Sequence, residues 1–484
     1  MESSLQKDGE TVIISNDNEE KFVEDKEFEK KLLRKVDLRI IPLLTLLYLL
    51  SFLDRVNIGN AKLAFIEKDL GLVGTQFNWC LSVFFIGYIL FEIPSNYALL
   101  KIKPFIWIPF IMVSWGVVIT IMAFVKNFQG LVTARFFLGA CEAGLFPGAV
   151  YYLTTWYKRS EQNSRIAFFA VGSTFAGSFN GLLAYGLIKL DGKHNLRGWQ
   201  WLFLVEGIIT IVVSLSAYFF ISDYPKSAKW LTDKERKYAT DRLKYDAGKA
   251  YVEHYERRHF YAALTDFKVY LAMLYLAVCS IAFYSYALFL PTIVNGMGFN
   301  YVVSQLLSVP PYFCATVSTI TVAIISDHKR IRGPFIIGFS TIGIIGYSLL
   351  ASPSVSNAGK YVGVCIVGIG LTPSVTTSIA WLTNNIAGHA KRGIATAMVM
   401  MCGNLGGIIA SQIYRQKDFP HYIFGHSFAM GSLACATFIA ILQYIIYKTL
   451  NKRKKENPKS FLEGKSEEEI KNLGDLHPDF IYNL

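Results

Sequence analysis

Between residues 39 and 448 the chain returns repeatedly to runs of roughly twenty apolar residues, the length an α-helix needs to cross about 30 Å of hydrocarbon. Backbone N–H and C=O groups in such a layer have no water to bond, so runs of this kind fold as helices that satisfy them internally. About twelve spans are expected, near 39–59, 77–98, 105–125, 129–153, 166–188, 200–221, 269–291, 302–325, 334–352, 360–383, 393–413 and 427–448. The polar stretch 222–268, with Pro225, Lys226 and the run Asp233-Lys234-Glu235-Arg236-Lys237, divides them six and six. The expected organisation is therefore a polar N-terminal tail (1–38), a six-helix bundle (39–221), a linker with helical pieces (222–268), a second six-helix bundle (269–448) and a polar C-terminal tail (449–484).

Composition supports an all-α membrane protein. Of 484 residues 52% are hydrophobic and only 17% charged, against about 25% charged in soluble proteins. The net charge of +12 lies in short clusters between apolar runs, not on one polar domain, which argues against a nucleic-acid-binding protein. The acidic N-terminal tail has no apolar core before Ile40, so no cleavable signal is expected and the first span doubles as the insertion signal. All seven cysteines fall in apolar segments and read as small packing residues. No H-E-x-x-H or paired C-x-x-C spacing suggests a metal, and no cofactor is expected.

Lysine and arginine set the orientation. With the N-terminus in the cytoplasm, the inner side receives Lys30, Lys31, Arg34, Lys35, Arg39, Lys101, Lys103, Lys158, Arg159, Arg165, Lys329, Arg330, Arg332, Lys391, Arg392 and the cluster from Lys448 to Lys455. The outer loops hold about half as many, so both termini are expected inside. The halves also echo each other. Lys101-Ile102-Lys103-Pro104-Phe105-Ile106 precedes the third span, and Arg330-Ile331-Arg332-Gly333-Pro334-Phe335-Ile336 precedes the ninth. Such internal repeats mark transporters that rock one half against the other around a midplane site.

Charges inside spans single out candidate functional residues, because an ionisable group in the membrane normally faces a cavity or a partner. The apolar part of the first span, Ile40 to Leu53, covers only about 21 Å. To cross, that helix must continue through Asp54 and Arg55, unless it is short and tilted and these two snorkel at its end. The fourth span carries Arg135 and Glu142, seven residues or two turns apart and so on one side, with Gly139 between them and Pro147-Gly148 placed to bend the helix beyond. Asn404 lies mid-span among Gly403, Gly406 and Gly407. Its amide can bond a ligand, while the glycines also read as a close packing face. Tyr284 and Tyr286 can stack on a planar substrate. Glu92, near the inner end of the second span, is expected to pair with an inner-loop cation, and Ser374, Thr376, Thr377 and Ser378 to bond their own backbone.

Several motifs together carry a family resemblance over roughly residues 35–450. They are Leu53-Asp54-Arg55-Val56-Asn57-Ile58-Gly59-Asn60-Ala61, Phe91-Glu92-Ile93-Pro94-Ser95-Asn96, the stretch from Arg135 to Gly148 followed by Trp156-Tyr157-Lys158-Arg159, Gly198-Trp199-Gln200-Trp201-Leu202-Phe203, Phe289-Leu290-Pro291-Thr292-Ile293, Gly403-Asn404, and Asp418-Phe419-Pro420-His421-Tyr422. The chain resembles the major facilitator superfamily and, within it, the fungal allantoate permeases of the anion:cation symporter group. The resemblance implies the major facilitator fold, a functional monomer, a plasma membrane location with vacuole or endoplasmic reticulum as alternatives, and proton-coupled uptake of a small organic anion such as nicotinate, pantothenate or allantoate. It assigns substrate binding and proton coupling to Asp54, Arg55, Arg135 and Glu142. The loop after the second span keeps only Lys101 and Lys103 of the superfamily's gating signature, while Asp327, Arg330 and Arg332 retain more of it in the second half.

Arginine receives carboxylates through two parallel hydrogen bonds. Arg55 and Arg135 are therefore expected to hold the anion, aided by Asn404 and Tyr284. Asp54 is expected to compete for Arg55 when ionised, and Glu142 to be a second proton carrier. A nutrient receptor of transporter descent is the alternative. A polytopic enzyme would need a nucleophile and base or a metal cluster near one face, and the sequence offers none.

Overall fold

The structure, a computed structural model, describes residues 4–7, 10–13, 23–222, 224–247, 257–387, 389–464 and 473–484. A small antiparallel sheet comes first: β1 (Ser4–Lys7), β2 (Glu10–Ile13) and β3 (Val23–Glu24), with Ser4 opposite Ile13 and Thr11 opposite Glu24. Among the described residues, the regular elements after it are all helical. The first half contains α1 (Lys26–Leu63), α2 (Ile66–Asp69), α3 (Gln76–Lys101), α4 (Pro104–Met122), α5 (Phe128–Glu142), α6 (Leu145–Thr154), α7 (Arg159–Ile188) and α8 (Gly198–Phe220). Linker helices α9 (Asp233–Ala247) and α10 (Arg257–Leu264) follow. The second half contains α11 (Phe267–Gly296), α12 (Tyr301–Leu307), α13 (Val309–Lys329), α14 (Gly333–Ala351), α15 (Asn357–Asn384), α16 (His389–Ile413) and α17 (Ile423–Glu456).

Among the described residues, eleven helices or interrupted helices are long and apolar enough to cross a membrane. The remaining expected span, the fifth (166–188), coincides with α7, a helix of 30 residues whose part Phe175–Ile188 is a shorter apolar helix. Two spans are interrupted, each by proline. Pro147 has no N–H to offer the carbonyl of Ala143, and the fourth span breaks between Glu142 and Leu145. Pro310-Pro311 likewise leave the carbonyls of Leu306 and Leu307 without helical donors, and the eighth span breaks at Ser308.

The two halves repeat one packing scheme. In the first, α1 packs on α7, α3 on α5, and α4 on α8; in the second, α11 packs on α16, α13 on α15, and α14 on α17. These are the first and fifth, second and fourth, and third and sixth spans of each half. Helices α4 and α14, which follow the two matching basic-Ile-basic motifs, both have 19 residues and begin at or beside a proline.

Helix α1 is buried on one side near its start, through Leu32, Val36, Ile40, Leu44 and Leu47, and on every side from Leu50 to Ala61. Its counterpart α11 is buried almost throughout from Cys279 to Val294. The two meet at Gly59, where a Cβ would stand 2.2 Å from the Leu288 carbonyl oxygen, so only glycine permits that approach. Hydrogen bonds between the halves cluster from this depth to the end where α1 finishes. Gln305 donates to the Asn60 carbonyl (3.1 Å), Asn78 to those of Ser411 (2.6 Å) and Tyr414 (3.1 Å), and Gln412 to the Ser82 hydroxyl (2.7 Å).

Candidate functional site

The all-round burial of α1 means that its two adjacent charges must each find partners inside the protein. Neighbouring residues on a helix point about 100° apart, and Asp54 and Arg55 diverge accordingly. Arg55, 7% exposed, turns toward α5 and the second half. Its Nη2 donates to Glu142 Oε1 at 2.7 Å and its Nε to the same oxygen at 3.3 Å. The Ser51 hydroxyl, one turn earlier on α1, also donates to that oxygen. Glu142 Oε2 is buried without a hydrogen-bond partner. The guanidinium lies 5.2 Å from the Tyr88 ring centroid, 5.4 Å from Phe84 and 5.9 Å from Phe52, an aromatic wall that favours a cation.

Arg55 also reaches across the halves. Its Nη1 lies 3.4 Å from the Tyr284 hydroxyl on α11, which donates to Asn404 Oδ1 on α16 at 3.2 Å. One chain of hydrogen bonds thus joins Glu142, Arg55, Tyr284 and Asn404, four of the residues singled out from sequence. The glycines around Asn404 do pack closely, since a Cβ on Gly406 would stand 2.3 Å from the Ala277 carbonyl oxygen.

Asp54, fully buried, faces α4 and α8 instead. Its Oδ2 accepts from Trp115 Nε1 (3.1 Å) and the Thr210 hydroxyl (3.0 Å), and Oδ1 has no partner. Asp54 is not placed to compete for Arg55 as expected: among the described residues the ion pair of Arg55 is with Glu142, because the helical twist carries Asp54 away. Arg135 is likewise apart from Arg55. It is 1% exposed and its Nη2 donates to Asn57 Oδ1 at 3.2 Å, while Asn57 Nδ2 donates to Glu206 Oε2 at 2.7 Å. Arg135 and Glu142 do share a side of α5, and both face α1, at Asn57 and Arg55 respectively.

Glu92 departs from expectation. It is 5% exposed, its Oε2 has no partner, and among the described residues no cation stands within ion-pair distance. It lies one turn beyond Tyr88 on α3, on the side facing Arg55, whereas Lys101, the last residue of the helix, and Lys103 just beyond it stand exposed, Lys101 over the Tyr97 ring at 4.6 Å. In the second half Asp327 pairs with Arg332, and Arg330 occupies the left-handed turn that ends α13, with φ of 54°. Ser374, Thr376 and Ser378 do bond backbone carbonyls of their own helix.

Sequence reading passed over Ser51, Tyr88, Asn57 and Glu206. Glu206 was open to the rule applied to Glu142, being the lone charge in the apolar run from Trp199 to Phe220. Beside the Arg55 pair a small cavity of about 20 Å³, room for little more than one water, lies between the halves, lined by Phe52, Ser173, Phe283, Tyr286, Tyr312 and Thr372 among others. The charged pair is not in its wall. Phe52 and Phe283, with ring centroids 6.0 Å apart, line it next to Arg55 and Tyr284.

Comparison with known proteins agrees with this architecture. The Major Facilitator Superfamily profile matches residues 44–411. The MFS-type transporter cnsO of Penicillium expansum is 37% identical over 470 residues, 94% of this chain and 90% of that protein. The high-affinity nicotinic acid transporter of Saccharomyces cerevisiae is 33% identical over 428 residues, 88% of this chain and 79% of the other. Among solved structures, an inward-facing, occupied bacterial homologue of the human lysosomal transporter Spinster superposes with a TM-score of 0.64 at 14% identity, covering 87% of this chain and 98% of that one. The xylose transporter XylE from E. coli, partially occluded and inward open, gives 0.63 at 13%, covering 83% and 96%.

Proposed function

This chain belongs to the Major Facilitator Superfamily, and from that premise we propose that it carries a small organic anion into the cell together with protons, by alternating access. The observation that carries the reading is the chain from Glu142 through Arg55 and Tyr284 to Asn404, which links a buried ion pair of one half to neutral polar groups of the other. A proton on the unpartnered Oε2 of Glu142 ends the ion pair and loosens the hold of Oε1 on the two Arg55 donors. The guanidinium fork then becomes the receptor for a carboxylate, whose two oxygens it can engage at once. Proton and anion are thereby bound in concert, and Tyr284 and Asn404 carry the change to the second half.

The lysine and arginine bias supports a cytoplasmic N-terminus. On that orientation the end sealed by Gln305, Asn78 and Gln412 is the outer one. The two-bundle division at the 222–268 linker gives the rocking units. One proton with a monoanion moves no net charge, whereas a second proton adds about 2.3 kcal/mol per 100 mV of membrane potential. The aromatic walls suit a small planar carboxylate, which the cavity, at about 20 Å³, must widen to admit. The yeast nicotinic acid transporter among its relatives makes nicotinate the first probe, ahead of allantoate or pantothenate. The allantoate permease motifs favour a monomer in the plasma membrane.

The test is uptake of labelled nicotinate by the full chain in liposomes carrying a pH gradient. Glu142→Gln is expected to lose pH-driven accumulation and keep counterflow exchange. A variant that still concentrates nicotinate removes Glu142 from coupling, and a wild-type chain that carries none of the three anions refutes the substrate class.

A further inference from the structure

We infer that Asp54 and Glu206 form a second proton site, closed inside the first half and apart from the Arg55–Glu142 pair, in which two carboxyl groups opposite Arg135 hold one proton between them. Asp54 and Asn57 share one side of α1, three residues apart; Glu206 and Thr210 share one side of α8, four apart. The two sides meet. Thr210 donates to Asp54, Asn57 donates to Glu206, and the Asn57 carbonyl accepts from Arg135. Asp54, Asn57, Glu206 and Arg135 are each no more than 1% exposed.

Each carboxyl has one oxygen supplied with donors and one, Asp54 Oδ1 and Glu206 Oε1, with none. Arg135 forms no direct ion pair with either among the described residues; its hydrogen bond goes to the neutral Asn57 amide. Fully ionised, the group would carry two negative charges against one positive, in a place where an uncompensated charge is strongly disfavoured. One proton on a donorless oxygen brings it to zero. The other groups facing the cluster leave that sum unchanged. Trp115 on α4 and Asn180 on α7 (bonded to Asn60) are neutral, Cys80 faces Arg135 from α3, and Arg55 and Glu142 balance each other.

The site stands on this geometry, and only its part in transport rests on the proton-coupled reading. Because α1 turns Asp54 away from Arg55, an anion bound at Arg55 does not displace this proton. Two protons then accompany one monoanion, and uptake becomes sensitive to membrane potential.

Infrared difference spectroscopy tests the site without a substrate. The full chain, purified into phosphatidylcholine vesicles, is titrated in a Glu92→Gln, Glu142→Gln, Arg55→Gln background that removes the other buried acids of the interior together with the cation that Glu142 balances. At neutral pH a protonated-carboxyl C=O band is expected. Asp54→Asn and Glu206→Gln should each abolish it entirely, since the remaining carboxylate is balanced by Arg135, and Arg135→Gln should roughly double it. A band that survives in either single variant, or that falls with Arg135→Gln, overturns the shared proton. Glu206→Asp, which keeps the carboxyl, should restore the band and separates charge from misfolding. In transport, Glu206→Gln should lose the response of nicotinate uptake to an imposed potential and keep the response to a pH gradient. Absent nicotinate transport with the infrared pattern intact would defeat the symport reading and leave the site standing.

Discussion

The two halves share a packing scheme and differ in what they bury. At span depth the first half holds Asp54, Arg55, Glu92, Arg135, Glu142 and Glu206, all no more than 7% exposed. The second half has no Asp, Glu, Lys or Arg from Val269 to Ser326, none from Gly393 to Ile413 and none from Ile423 to Tyr447. Its buried polar residues there, Tyr284, Asn404 and Ser280 among them, are neutral, and in its remaining spans the one buried charge among the described residues is Lys360, in the first turn of α15. Twofold repetition of a fold therefore does not require twofold repetition of chemistry. Helix packing depends on small residues and shape at crossings such as Gly59 against Leu288, which a repeat preserves cheaply. Buried charge depends on a counter-charge at one particular place, and here only one half supplies it.

The sharpest way to break this contrast is to compare Arg55 with Tyr284. Arg55→Ala strands Glu142 without a cation, a change that costs about 3–5 kcal/mol when an interior pair loses one member. Nicotinate binding should vanish, and the melting temperature of the purified protein should fall unless Glu142 takes up a proton. Arg55→Lys keeps the charge and loses the fork, weakening binding by about 10- to 100-fold. Tyr284→Phe, on the neutral side of the same hydrogen-bond chain, should cost at most about tenfold. Equal losses at Arg55→Lys and Tyr284→Phe in a binding titration would show that the anion is held equally by both halves.

What sequence could and could not reveal follows the same line. The spans, the repeat and the proline breaks are local properties, legible from apolar run length and from residues such as Pro147 and Pro310. Burial of Arg135 and Glu142 was legible because a charge inside an apolar run has few places to go. Which partner each charge finds was not legible, since it depends on how far α1 twists between Asp54 and Arg55 and on which helix stands at each side. The expectation that Asp54 would hold Arg55 failed on that geometry, as did the cation expected for Glu92. Glu206 was visible by the same rule and was passed over.

At the end of the molecule where α1 begins, each half is clasped by the segment that follows it, with opposite polarity. Linker helix α9 inserts Arg242, 1% exposed, between Glu29 and Glu161 at 3.0 and 3.1 Å. The C-terminal tail inserts Asp475, also 1% exposed, against Lys268 and against Lys391 at 2.8 Å. Tyr482 stacks on Tyr447 with centroids 5.1 Å apart. These contacts join residues up to 213 positions apart, beyond any reading of local sequence. Burial pushes the Asp475 carboxyl up, but Lys268 and Lys391 outweigh it and hold the group below its ordinary value. A carboxyl depressed on folding adds stability at every pH above its unfolded value of about 3.9 and loses it as pH falls through the folded value. Asp475→Asn should therefore lower the melting temperature by several degrees, by the same amount from about pH 7 to about pH 5, with the gap to wild type closing only below about pH 4. A gap that widens on acidification would contradict the clasp.

The smallest effect is expected from an ion pair that looks equivalent by distance. Lys35 on α1 meets Glu235 on α9 at 2.7 Å, no longer than the contact of Lys391 with Asp475. The Lys35 side chain is 42% exposed, so water and salt screen the attraction, and ordering the lysine offsets part of what remains. Lys35→Gln should change stability by less than about 1 kcal/mol, and that change should disappear in high salt. Melting curves of Lys35→Gln and Asp475→Asn recorded side by side at low and high salt separate the two, because burial, not distance, sets the worth of each contact. Matching shifts in the two variants would mean that the tail lies open to solvent and that neither half is clasped.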